Sequence, residues 1–112
     1  MAVDLWIYRE VVDTDLDLTG FRVEAADGEI GKVDRVTYEV GEGSIVVDTG
    51  PWIVGKKVVL PAGTIDHVDA EDGTVYVDRT KEEIKGAPEW DPTGYVEQEH
   101  RIKLAEYYSR FY

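Results

Sequence analysis

This sequence predicts a mainly β fold, a small β-barrel of about six short strands, with a short helix near 81–85 and a C-terminal helix near 95–109. Three observations carry that reading. Apolar residues alternate with polar ones in short runs between positions 21 and 77, glycine-containing turns fall at nearly every corner, and helical patterning begins only after Thr80. Many short strands with Gly-rich corners favour a sandwich or barrel over an α/β sheet, and closure removes strand edges that would otherwise invite aggregation.

The strands follow in order. Phe21, Val23 and Ala25 alternate with Arg22 and Glu24, and Asp27-Gly28 then marks a hairpin, because Gly accepts positive φ without a steric penalty. Ile30 and Val33, then Val36, Tyr38 and Val40, keep one face only if parity slips once, so a β-bulge is expected near Asp34-Arg35. Gly31 is read as leaving room for a crossing backbone. Gly41-Glu42-Gly43-Ser44 turns into Ile45-Val46-Val47, which is apolar on both faces. Val58-Val59-Leu60 ends at Pro61, Ile65–Val68 follows, and Glu71-Asp72-Gly73 turns into Val75-Tyr76-Val77.

Thr80-Lys81-Glu82-Glu83 matches a capping box, and Gly86 with Pro88 stops that helix early. Asp91-Pro92 offers a second helix start. Beyond Tyr95, Glu97–Arg101, Glu99–Lys103 and Glu106–Arg110 are i,i+4 pairs, each worth roughly 0.2–0.5 kcal/mol. Arg101, Leu104, Ala105, Tyr108, Phe111 and Tyr112 fall on one stripe of this amphipathic helix.

Charge divides the chain into an acidic prefix (1–18, net −4), a barrel-forming middle (19–92, net −8) and a neutral end (93–112) that holds five of the 12 aromatic residues. With 24 acids against 12 Lys and Arg, binding to nucleic-acid phosphates is not expected, since that depends on releasing counterions with basic side chains. The chain has no Cys, and no apolar run approaches the roughly 18 residues of a membrane span. A soluble, cytoplasmic domain is expected, without membrane insertion.

Several stretches of the middle part resemble the PRC-barrel family, named for the barrel of the photosynthetic reaction centre H subunit and similar to a barrel in the ribosome maturation factor. They are Gly20-Phe21-Arg22-Val23, Asp27-Gly28-Glu29-Ile30-Gly31-Lys32-Val33-Asp34, Val47-Asp48-Thr49-Gly50, Val59-Leu60-Pro61 and Val77 to Lys85 with Pro88. The resemblance covers roughly residues 19–92 and implies a stand-alone member: a non-catalytic module that touches another protein. By analogy of fold alone it also raises an accessory subunit of a redox or membrane complex. The bottom-up roles of Gly28, Gly31 and Pro61 are structural.

Chemistry-bearing constellations are few. Asp13, Asp15 and Asp17, with Glu24 eleven residues after Asp13, match the acidic spacing of a calcium-binding loop, but Leu18 stands where that loop needs Gly. These four residues are a divalent-cation alternative, set against a solvated acidic linker. Asp66 and His67 are sent to opposite faces by strand alternation, and His100 is read as an exposed helix residue. Ser44 and Ser109 are the only serines and neither lies in G-x-S-x-G, so no enzyme and no cofactor is expected. The sharpest positive feature is apolar surface at both ends. Trp6, Tyr8, Leu104, Tyr107, Tyr108, Phe111 and Tyr112 are assigned to a subunit interface, making a homodimer the expected partner, or another protein. The opposing reading is that these residues finish the core within one chain. A ligand-binding barrel whose mouth is lined by Trp52 and acidic turns is the remaining alternative.

Overall fold

The computed structural model describes residues 5–9, 12–13, 15–38, 43–50, 57–88 and 97–112, with only the backbone of 97–99. Six strands form one mixed sheet: β1 (Arg22–Ala25), β2 (Gly28–Thr37), β3 (Ser44–Asp48), β4 (Lys57–Pro61), β5 (Ile65–Asp69) and β6 (Thr74–Val77). Two helices follow, α1 (Lys81–Lys85) and α2 (Glu97–Ser109). Trp52, Trp90 and the start of the expected helix at 95 lie outside the described residues, and so does the ligand mouth placed at Trp52.

The strand order is β4-β3-β2-β1-β6-β5, antiparallel throughout except for the parallel pair β1–β6. The expected barrel does not close. The edge strands β4 and β5 are consecutive in the chain and joined only by a 3-10 turn, Ala62–Thr64. Three residues reach roughly 10 Å at most, so the sheet coils until its two edges meet at that one end. No β4–β5 ladder forms there among the described residues. Pro61 has no N–H to offer, and the next two donors go elsewhere: Ala62 N–H donates to Gly43 O (2.9 Å) and Gly63 N–H to Leu5 O (2.8 Å). The N-terminal segment thus takes one of the two donors at the β4–β5 connection, through Leu5 O.

Local expectations fare better. Register shifts between Val33 and Arg35, leaving Asp34 as the bulged residue. At Gly31 (φ +152°) a Cβ would sit 2.0 Å from Asp48 O, so a crossing backbone does exclude any side chain. The capping box forms in full: Thr80 Oγ1 accepts from Glu83 N–H (3.2 Å) and Glu83 Oε1 from Thr80 N–H (2.9 Å). Asp27 Oδ1 accepts from Lys81 N–H at 2.8 Å, pinning the β1–β2 turn to the start of α1.

Val23, Ile30, Ile45, Val47, Leu60, Ile65 and Val75 build the inner face and are at most 1% exposed. The acidic prefix is not a solvated linker along its length. Leu5, Val12 and Leu18 join the core, and Tyr38 OH donates to Leu16 O at 2.5 Å.

Candidate functional site

The aromatic residues assigned to an interface pack first of all within the chain. Leu104 and Tyr108 are buried in the core, at 1% and 0% exposure, while Trp6, Tyr8, Tyr107, Phe111 and Tyr112 are half-buried against it. Tyr8 OH is shared between Thr37 O (2.7 Å) and Ser44 O (2.9 Å), and burial pushes its phenol pKa well up. Tyr107 OH donates to Glu83 O at 2.5 Å, tying α2 to α1. The Tyr108 hydroxyl is fully buried and has no hydrogen-bond partner among the described residues.

Two junctions fasten the terminal segments to the sheet. The first centres on Asp78, just past β6. Arg9 Nη2 donates to Asp78 Oδ2 (2.6 Å) and to Gly63 O (3.0 Å), and Tyr112 OH donates to Asp78 Oδ1. Arg79 Nε donates to Asp78 O at 2.8 Å, and its guanidinium lies 5.0 Å from the Phe111 ring centroid and 4.8 Å from that of Tyr112. Burial, and then the hydrogen bond to Asp78, raise the Tyr112 phenol pKa. This cluster is a clasp: its charges are answered by neighbours from the same chain.

The second junction is a groove between α2 and the outer face of β2–β3–β4, lined by Trp6, Arg35, Thr37, Ser44, Val46 and Val59, with His100, Arg101 and Leu104 from α2. The bulge creates it. Without the extra residue, Arg35 would share the inner face with Val33; with it, Val36 pairs Ile45 inside and Arg35 pairs Val46 outside. Val46 pairs Val59 in turn, so Arg35, Val46 and Val59 form one cross-strand row. The stretch Ile45-Val46-Val47 is apolar on both faces because α2 covers the outer one. The Arg101 guanidinium lies 5.6 Å from the Trp6 ring.

Other expectations shift. His100 is buried, at 9% exposure, with Nε2 3.2 Å from Pro88 O. It stands one helical turn before Leu104 and two before Tyr108, and that position outweighs its polarity. Asp66 and His67 do not diverge. Ile65 pairs Val77 and His67 pairs Tyr76, so Asp66 is bulged out, and its Oδ2 lies 2.7 Å from His67 Nδ1. The His67 ring stacks on Tyr76 at 4.5 Å and is exposed.

Asp13, Asp15, Asp17 and Glu24 do not converge: no group of three or more metal-ligating side chains occurs among the described residues. Asp13 Oδ1 accepts from Asp15 N–H (2.9 Å) and Asp17 Oδ1 from Thr19 N–H (3.0 Å), each closing its own turn. The Thr19 N–H and hydroxyl hold the Asp17 pKa below its usual value. Glu24 sits in β1 and pairs with Glu29. No described helix is long and apolar enough to cross a membrane. A scan against protein-family models finds none that matches the chain, and a search of curated proteins returns no match either.

Proposed function

We propose that the chain is a non-enzymatic protein-interaction module that self-associates as a homodimer through the seam between its N-terminal segment and α2. One observation carries this reading. The large apolar side chains left exposed among the described residues are Ile7 (53%) and Ile102 (55%), and each is the sequence neighbour of one member of the Trp6–Arg101 stack. Trp and Arg are enriched at interfaces, and here both lie beside exposed aliphatic side chains. A two-fold contact needs only one self-complementary patch, so a single seam would suffice. The resemblance of residues 19–92 to the PRC-barrel family supports the same reading, as a module that touches another protein.

Deleting α2 would remove Leu104 and Tyr108 from the core, so the test uses surface variants. Light scattering across a hundredfold dilution is expected to give about twice the chain's 12.6 kDa for the wild type, and 12.6 kDa for Ile7→Glu/Ile102→Glu. A wild-type mass of 12.6 kDa at every dilution would overturn the proposal.

A further inference from the structure

We infer that the groove between α2 and the β2–β3–β4 face binds a small organic anion: a monocarboxylate on a short aliphatic body. Its apolar lining comes from Trp6 and from Val46, Val59 and Leu104, each of the last three at most 9% exposed. At roughly 25 cal/mol per Å² this small apolar surface adds little, so recognition falls mainly to the arginines. The polar side is cationic. Arg35 has no ion-pair partner among the described residues, and Arg101 lines the same groove. No carboxylate is among the described lining residues, in a chain whose acids outnumber its bases 24 to 12.

The Asp34 bulge turns an arginine outward beside two valines. A guanidinium presents parallel N–H donors that match the two oxygens of a carboxylate, and Thr37 and Ser44 also line the groove. The groove offers about 70 Å³, less than half the roughly 150 Å³ of a cavity that admits benzene. A branched aliphatic chain of a few carbons suits it better than an aromatic ring.

The test is calorimetric titration of the full chain with 3-methylbutanoate, with its neutral amide 3-methylbutanamide, and with inorganic phosphate. Expected is saturable binding of the carboxylate, with the amide and phosphate each about tenfold weaker or more. Arg35→Gln should lose about tenfold in affinity for the carboxylate with its thermal midpoint unchanged, because Arg35 is exposed on its strand. Four outcomes would each overturn the inference. They are no heat from the carboxylate up to about 10 mM, well past the millimolar range of weak sites; equal binding of the amide; tighter binding of phosphate; or an unchanged affinity in the folded Arg35→Gln variant.

Discussion

The same two segments, residues 5–9 and α2 with its tail, meet the sheet at two places of opposite chemistry. At the clasp, Arg9, Arg79 and Tyr112 converge on Asp78, and each polar group finds a partner within the chain. At the groove, Trp6 and Arg101 flank a floor of valines and an arginine that has no ion-pair partner among the described residues. A junction whose charges are answered internally contributes stability and offers little to a ligand. One that leaves a cation over apolar surface contributes less to folding and keeps its recognition capacity. The difference comes from one inserted residue, Asp34, which rotates Arg35 out of the core.

The largest expected difference between the junctions comes from Asp78→Ala. That variant takes the shared acceptor from Arg9, which keeps Gly63 O and Asp66, and from the Tyr112 hydroxyl, and about 2 kcal/mol of stability should go in denaturant titration. Next is Tyr108→Phe. It deletes a buried hydroxyl without a partner among the described residues, so a gain of roughly 1 kcal/mol is expected; a loss would mean the hydroxyl is bonded.

A smaller, pH-dependent effect follows from Tyr8, Tyr108 and Tyr112, whose phenol pKa values are raised by burial. The unfolded chain ionises first, near pH 10, so their contribution is complete below about pH 10 and is lost as pH rises beyond it. Tyr112→Phe should be less stable than wild type at pH 7 yet show a shallower alkaline decline in thermal midpoint. The smallest effect is at the groove: Arg35→Gln should change stability by no more than about 0.5 kcal/mol.

What was legible in the sequence is what short-range chemistry decides. The Thr80–Glu83 capping box, the parity slip at Asp34 and the Leu104–Tyr108 spacing each depend on residues within a few positions of one another. Barrel closure was not legible, because it turns on whether Ala62 and Gly63 donate to a neighbouring strand or to Gly43 and Leu5. Asp78 gave no signal either, since Arg9 lies 69 positions away. The Asp66 bulge defeated a strict alternation argument, and residue type hid the burial of His100 at an otherwise core-facing position. The candidate groove was half visible: the bulge was expected, but not that it would turn Arg35 towards α2.

The central claim is that both terminal segments are fastened to one carboxylate. A double-mutant cycle on Arg9→Ala and Tyr112→Phe, read by urea denaturation, tests it most directly. Because the two side chains share Asp78, their effects should be non-additive by about 1 kcal/mol. Additivity within roughly 0.3 kcal/mol would contradict the clasp and return the aromatic tail to the surface.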